Sequence, residues 1–228
     1  MEIPFTLEYA FGMIPLFLGW IIVFYVLENF RKELVIMGII AGVGSVYTAT
    51  LMWTVDWWHP PTITHTSVGF EDFYLGFFWA GIVVGSYETF FGEQKGEIEF
   101  VPEKMNWKYF GIILTIFFIV MPGVFFLTEM HSVIAWNIAS TLAILYMYFR
   151  RPDLIRHGLL SAFVALIAAI IWFWFMSTMN SNFFEDWYFV NNLTGIEFLG
   201  GPIEDYIWAV QTGLIFGPIW QFILEPKE

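Results

Sequence analysis

The chain has 228 residues, of which 58% are hydrophobic and only 13% are charged, and its mean hydropathy is +0.68. Soluble domains carry roughly 25% charged residues, so this composition predicts an integral membrane protein. The net charge of −12 argues against nucleic-acid binding, which requires basic patches. The chain contains no cysteine, which excludes disulfides, thiolate nucleophiles and thiolate metal sites.

Seven apolar runs are long enough for transmembrane helices, which need about 20 residues to cross the hydrocarbon core. In chain order they cover residues 9–27, 34–53, 73–91, 109–127, 132–148, 158–176 and 203–223. We therefore predict an all-α transmembrane fold, a bundle of seven helices that makes a multi-pass protein of the cell membrane.

The basic residues predict the orientation of this bundle, because cytoplasmic connections carry an excess of Lys and Arg. All of them fall between alternate spans or after the last span: Arg31, Lys32, Lys95, Lys104, Lys108, Arg150, Arg151, Arg156 and Lys227. This places the N-terminus outside and the C-terminus in the cytoplasm. The seventh span contains no lysine, which excludes a retinal photoreceptor with a Schiff base in its last helix.

The sequence also indicates an internal repeat. Three features recur in the same order: residues 30–34 resemble 149–154, residues 56–58 resemble 186–188, and residues 69–73 resemble 201–206. We predict a 3+1+3 arrangement of parallel repeats, with a first repeat in residues 1–92, a connector with the fourth helix in 93–130, and a second repeat in 131–228. Both third helices of the repeats carry a Gly-x-x-x-Gly pair, Gly81/Gly85 and Gly213/Gly217, which predicts close helix packing.

Two acidic pairs open the third and seventh spans, Glu71-Asp72 and Glu204-Asp205. Carboxylates in a first turn can simply cap the helix and complement its dipole. However, ionisable groups at membrane depth are typically functional. Neighbouring carboxyl groups cannot all be ionised there without a large cost in free energy, because their charges repel and are poorly solvated. A carboxyl that keeps its proton is a general acid, so both interpretations stand at this point.

Other polar residues lie on the same predicted side, in the connections: Asp56, His59, His65, Glu129, His131, Glu185 and Asp186. Histidine and carboxylate side chains can bind zinc, but none of the diagnostic ligand spacings occurs. We predict no metal site. The aromatic residues Trp57, Trp58, Trp187 and Tyr188 suit an interfacial belt, whereas aromatic side chains inside the spans would also suit an apolar polyene.

The second acidic pair is part of a longer motif. Gly200-Gly201-Pro202-Ile203-Glu204-Asp205 resembles the Pro-x-Glu-(Glu/Asp) motif of the membrane lycopene cyclases of the heterodimeric or fused type, which opens a helix after a Gly-rich turn. Upstream of this motif, Trp187 and Gly195 resemble the aromatic residue and the glycine that precede it in that family. The first pair keeps its acids, but Gly69 stands where the family has proline.

The resemblance implies a redox-neutral, proton-initiated cyclisation of one or both ends of a membrane-dissolved linear C40 carotenoid such as lycopene. It implies catalytic roles for both acidic pairs, with Glu71 and Glu204 as acid or base and Asp72 and Asp205 tuning them. The substrate-binding residues expected on this basis are Trp57, Trp58, Trp79, Trp187, Tyr206 and Trp208. No Gly-x-Gly-x-x-Gly motif is present, so we predict no flavin and no other cofactor.

Three other functions are compatible with parts of this pattern. Some small-solute transporters use parallel 3+1+3 repeats. A metal-dependent membrane hydrolase would use the His and Asp residues of the connections. A carotenoid- or retinoid-binding protein would keep the aromatic pocket without catalysis.

Overall fold

The computed structural model describes residues 4–91 and 106–224, except for the side chains of Phe90 and Phe91. The described chain is all-α apart from a two-stranded antiparallel pair, β1 (Glu197–Phe198) and β2 (Gly201–Pro202). Its helices are α1 (Glu8–Val26), α2 (Arg31–Thr48), α3 (Phe70–Phe91), α4 (Trp107–Thr115), α5 (Met121–Thr128), α6 (Ser132–Arg150), α7 (Ile155–Met179), α8 (Phe183–Trp187), α9 (Ile203–Phe216) and α10 (Ile219–Ile223).

Five helical stretches of the described chain are long and apolar enough to cross a membrane. They are Phe5–Val26, Glu28–Asp56, Trp107–Thr128, Ser132–Arg150 and Pro152–Met179. Large apolar side chains point outward from the bundle, for example Leu18 (54% exposed), Ile22 (62%) and Phe163 (61%). Such a surface is stable against lipid, so the fold supports membrane association.

The other two predicted spans fall in α3 and α9, which are not among these five stretches. Membrane crossing by these two helices, and hence the seven-helix bundle, stays a prediction. The predicted run 203–223 is also not one helix, because it breaks between α9 and α10 at Pro218. Proline cannot donate to the carbonyl four residues earlier. That carbonyl, Leu214 O, instead accepts a hydrogen bond from the Tyr148 hydroxyl at 2.7 Å.

Two of the long helices contain a π-helical turn. One covers Ala49–Trp53 after α2, and the other covers Ile116–Val120 between α4 and α5. π-turns of this kind are frequent at functional sites. The first of them carries Trp53, which lines the cavity described below.

Close helix contacts fix the centre of the bundle. α3 packs against α1, α2 and α7, and α9 packs against α6 and α7. A Cβ at Gly213 would lie 2.3 Å from Ala162 Cα, and one at Gly81 would lie 2.3 Å from the Trp20 ring. A Cβ at Gly85 or Gly217 would likewise overlap a neighbouring side chain. The predicted packing role of these glycines is therefore confirmed.

The two ends of the bundle differ in charge. At the end we call the basic end, Arg150 donates to the Tyr109 hydroxyl at 2.6 Å and Arg151 donates to Gln221 O at 3.0 Å. At the opposite end, the acidic end, α3 and α9 begin with the two acidic pairs. Lys95, Lys104 and Lys227 lie outside the described residues. The side of the membrane that each end faces stays a prediction.

The two tryptophan-containing segments that the sequence matched lie side by side at the acidic end. His59 N donates to Trp187 O at 2.6 Å, and Phe189 N donates to Trp57 O at 3.0 Å. Trp58 and Tyr188 form an antiparallel bridge between these two bonds. The repeat itself and the division into 1–92, 93–130 and 131–228 stay predictions, and residues 92–105 lie outside the described part of the chain.

Candidate active site

The second acidic pair lies in the first turn of α9, where the two side chains diverge. Glu204 points back to the preceding loop, and its Oε1 accepts a hydrogen bond from Thr194 N at 2.6 Å. Asp205 points into the bundle. Its Oδ1 accepts from Trp57 Nε1 at 2.9 Å, and its Oδ2 accepts from the Tyr188 hydroxyl at 2.6 Å. The two donors thus hold both oxygens of one carboxyl group.

Both donors are suited to a carboxylate. The indole of Trp57 can only donate. Burial, with a further contribution from the Asp205 charge, raises the pKa of the Tyr188 phenol well above its usual value, so this hydroxyl keeps its proton. Hydrogen bonds to an ionised acceptor are about twice as strong as neutral ones. The pair of donors therefore stabilises the charged form of Asp205.

The first acidic pair, in the first turn of α3, is held differently. Glu71 Oε1 accepts from Ile63 N at 2.8 Å, so this glutamate fixes the preceding loop as Glu204 does. Asp72 is fully buried, and its Oδ2 accepts from Gly69 N at 2.8 Å. Its Oδ1 accepts from the Tyr9 hydroxyl at 3.2 Å. One oxygen of Asp72 is thus bound to the start of its own helix.

The residue three positions before each aspartate explains this difference. Gly69 has an N–H group that binds Asp72, whereas Pro202 has none. Asp205 therefore lacks a backbone donor at that position and binds Trp57 and Tyr188 instead. The departure of Gly69 from the family motif has a direct structural consequence for the first pair.

Asp205 lies at an aromatic cavity between α1, α3, α7 and α9. Among the described residues, six tryptophans line the cavity, and Asp205 is the one ionisable residue in that lining. The lining residues are Leu16, Trp53, Trp57, Trp58, Leu75, Trp79, Ala169, Trp172, Phe173, Asp205 and Trp208. We call this the tryptophan cavity. It brings a carboxyl group against a surface that is otherwise apolar.

The structure separates the six predicted substrate-binding residues into two groups. Four of them line the tryptophan cavity: Trp57, Trp58, Trp79 and Trp208. The other two do not. Trp187 is fully buried and packs edge-on against Tyr9, with ring centroids 5.4 Å apart. Tyr206 packs against Phe173, with ring centroids 5.0 Å apart.

Aromatic contacts connect the two acidic pairs. Tyr9, the donor to Asp72, packs edge-on against Trp58 with ring centroids 5.4 Å apart. Trp58 in turn lies 6.4 Å from the ring of Tyr188, the donor to Asp205. The first pair thus supports the wall of the tryptophan cavity through Tyr9, although neither Glu71 nor Asp72 lines that cavity.

Several lining residues were missing from the prediction: Leu16, Trp53, Leu75, Ala169, Trp172 and Phe173. Trp53 could have been predicted from the sequence, because it precedes Trp57 by four residues in a helical stretch. The two side chains therefore lie on the same face of the helix. The interfacial-belt interpretation does not fit Trp57, Trp58, Trp187 and Tyr188, which are all at most 6% exposed.

The polar residues of the connections have structural partners. Asp56 accepts hydrogen bonds from Ser132 N at 2.9 Å and Ser132 Oγ at 2.5 Å, so it fixes the start of α6. His131 Nδ1 lies 3.3 Å from the same carboxylate. Within residues 4–91 and 106–224, no group of three or more His, Cys, Asp or Glu side chains is arranged to hold a metal ion.

Comparison with known proteins gives one match. The family model described as lycopene cyclase matches residues 131–223, which include α9, Tyr188 and the second acidic pair. No curated protein and no solved structure matches the chain. The resemblance drawn from the motif at Pro202 is confirmed, because residues 131–223 match the lycopene cyclase family model.

Proposed function

We propose that this protein cyclises the ends of a linear C40 carotenoid in the membrane by protonating a terminal double bond, and that Asp205 is the acid. The observation that carries this proposal is the position of the Asp205 carboxyl at the tryptophan cavity, between two hydrogen-bond donors. The family match over residues 131–223 supplies the reaction class and the substrate class.

The proposed reaction is an isomerisation. The Asp205 carboxyl gives its proton to the terminal double bond, which leaves a tertiary carbocation. An internal double bond attacks this cation, and the new carbon–carbon bond closes a six-membered ring with the charge on a ring carbon. Loss of a neighbouring ring proton to the Asp205 carboxylate restores both the acid and a double bond. No electron is gained or lost in these steps, so they consume no oxidant or reductant.

The surroundings of Asp205 favour both charges that this reaction creates. The carboxylate left after proton donation is stabilised by Trp57 Nε1 and the Tyr188 hydroxyl, which already point at its oxygens. The carbocation is stabilised by the faces of tryptophan rings, which attract cations. Trp208, on the same helix as Asp205, and Trp79 lie with ring centroids 4.9 Å apart in the cavity wall.

This assignment differs from the roles that the family resemblance implies for the four carboxyls in the sequence analysis. There, Glu71 and Glu204 were the expected acid or base, with Asp72 and Asp205 tuning them. Each glutamate instead has one oxygen bound to a loop N–H, and neither lines the tryptophan cavity. We assign both glutamates to the positioning of their loops.

We further propose that α3 and α9 cross the membrane with the five stretches named above, which gives seven spans with the acidic end outside. The position of the described basic residues at the opposite end supports this orientation, because positive charge accumulates on the cytoplasmic side. Asp205 would then lie near the outer membrane surface, where a membrane-dissolved polyene can reach it with one end.

The alternatives have less support. The acids of α3 and α9 lie in first turns and not at the middle of a helix, which does not favour a transporter site at the bilayer midplane. Asp56 and His131 are engaged at the start of α6, which does not favour a hydrolytic metal site there. A carotenoid-binding protein without catalysis would use the same cavity, and the pigment analysis below distinguishes it from a cyclase.

The test is expression in cells that accumulate lycopene, followed by chromatography of the extracted pigment. We expect a cyclic carotene with the same molecular mass as lycopene, because the reaction is an isomerisation. Unchanged lycopene, with the protein verified in the membrane, would contradict the proposal. Lycopene that co-purifies with the protein without conversion would identify the binding-protein alternative.

A further inference from the structure

A second cavity lies next to the tryptophan cavity, between α2, α4, α6 and α9. The two cavities share four wall residues, Trp53, Leu75, Trp79 and Trp208. These side chains form a wall common to both cavities, and their rotation is a small motion that would join the two. The second cavity therefore lies directly behind one wall of the tryptophan cavity. We call it the chain cavity.

The chain cavity extends away from Asp205 toward the basic end. Along α9 it reaches from Trp208 to Phe216, and its far end is formed by Met37, Phe110 and Ile219. Asp205 and Phe216 are 11 residues apart on this helix, which corresponds to about 16 Å at the α-helical rise. Together, the two cavities follow a narrow path with an acid at one end.

The wall of the chain cavity offers very little to a polar ligand. The Tyr47 hydroxyl donates to Phe118 O at 2.9 Å, and the Thr48 hydroxyl donates to Gly44 O at 3.0 Å, so both are already engaged within the wall. Ser45 contributes one further hydroxyl and is only 6% exposed.

The remaining lining is aliphatic and aromatic. The indole N–H of Trp79 donates to Thr212 Oγ1, and those of Trp53 and Trp136 are buried without a partner among the described residues. Such a wall favours a ligand that is almost entirely hydrocarbon.

We propose that the chain cavity binds the body of a long, unsubstituted linear polyene while the end of that chain lies in the tryptophan cavity at Asp205. The inference rests on the proposed function for its substrate and adds the place where the unreacted part of the chain is held. It follows that the protein selects its substrate by the length of the chain beyond the reacting end. A shorter chain with the same end group needs less of the chain cavity.

Gly44 allows this to be tested without a direct clash in the fold. A Cβ at Gly44 would meet only Phe118 Cζ, at 3.9 Å, so a larger side chain enters the cavity that this residue lines. Gly111 is a matched control on α4. A Cβ there meets nothing within 4 Å, and Gly111 does not line the cavity although its neighbour Phe110 does. Gly44→Leu and Gly111→Leu add the same volume.

The experiment uses the full chain in proteoliposomes, with lycopene and a shorter acyclic polyene that has the same end group. For Gly44→Leu we expect the KM for lycopene to rise about tenfold or more, because overpacking a filled cavity costs about that much in affinity. The shorter polyene should be converted at a rate close to that of the unmodified chain. Gly111→Leu should leave both substrates unaffected.

A second readout keeps this inference separate from the proposed function. Lycopene bound to the purified protein is quantified by its visible absorbance, which needs no turnover. If the unmodified chain binds lycopene without converting it and Gly44→Leu abolishes binding, the proposed function fails and the chain cavity stands. If Gly44→Leu binds and converts lycopene as Gly111→Leu does, the chain cavity is not the binding site.

Discussion

Asp72 and Asp205 each follow a glutamate in the first turn of a helix, yet their carboxyl groups lie in different surroundings. Asp72 is bound by Gly69 N and by the Tyr9 hydroxyl, and it does not line the tryptophan cavity. Asp205 is bound by side chains alone, from Trp57 and Tyr188, and it lines that cavity.

The comparison shows how one backbone N–H group can redirect a carboxyl group. Where glycine precedes the aspartate by three residues, the carboxylate caps its own helix. Where proline does, no donor is available and the carboxylate turns to donors from other parts of the chain. An acidic pair of the same sequence can thus stabilise the start of one helix and, as we propose, supply a reacting acid at the start of another.

The largest expected effect comes from Asp205→Asn. Because asparagine keeps the shape of the side chain but cannot give a proton to an alkene, we expect the rate of carotene formation to fall about 10³-fold. The measurement is product per folded protein in membranes. Asp186→Asn is the control, because Asp186 is exposed at the same end and accepts from Asn180. Full activity of Asp205→Asn would remove this residue from the mechanism.

Tyr188→Phe tests whether the donors to Asp205 distinguish it from Asp72. We expect kcat to fall about tenfold or more, the size of one lost hydrogen bond to a charged group, with little change in KM because Tyr188 does not line the cavity. Tyr206→Phe is the control, since its hydroxyl makes only a 3.4 Å contact with Leu199 O. Equal kcat values for the two variants would contradict the proposed role.

Pro202→Ala tests the proline directly. The new N–H group at position 202 should attract the Asp205 carboxylate toward the start of α9, as Gly69 N attracts Asp72. We expect product formation to fall about fivefold, which is the size of one net hydrogen bond. Pro152→Ala serves as the control, because it also removes a proline but is exposed next to Arg151 at the basic end. Unchanged activity of Pro202→Ala would show that proline does not orient Asp205.

The smallest expected effect comes from the two glutamates. Glutamine can accept the same hydrogen bond from Thr194 N or Ile63 N, so Glu204→Gln and Glu71→Gln should each lower stability by about 1 kcal/mol and leave turnover per folded protein almost unchanged. Thermal unfolding and pigment analysis measure the two effects. If Glu204→Gln lost conversion and Glu71→Gln did not, Glu204 would be the acid in place of Asp205.

Much of the fold could be predicted from the sequence, because lipid imposes long apolar helices whose ends are marked by charge. The run 132–148, for example, corresponds to α6 (Ser132–Arg150). The break between α9 and α10 was missed although Pro218 was visible. Whether a proline ends a membrane helix depends on partners for the freed carbonyl, here the Tyr148 hydroxyl, which the sequence does not reveal.

The sequence indicated candidate site residues, and their catalytic roles stay predictions. The motif identified both acidic pairs, but the direction of each side chain depends on donors that are distant in sequence. Trp57 precedes Asp205 by 148 residues, and Tyr9 precedes Asp72 by 63. Local patterns cannot supply such contacts. The difference between Gly69 and Pro202 was visible in the sequence, and its effect on hydrogen bonding required the structure.

The most direct test of the difference between the two acidic pairs is to compare Asp72→Asn and Asp205→Asn in the same lycopene-accumulating cells, with pigments separated by chromatography and normalised to folded protein. We predict cyclic carotene from Asp72→Asn at a level close to that of the unmodified chain, and essentially only lycopene from Asp205→Asn. Equal loss in both variants, with both proteins folded, would contradict the assignment of a single reacting carboxyl to the second pair.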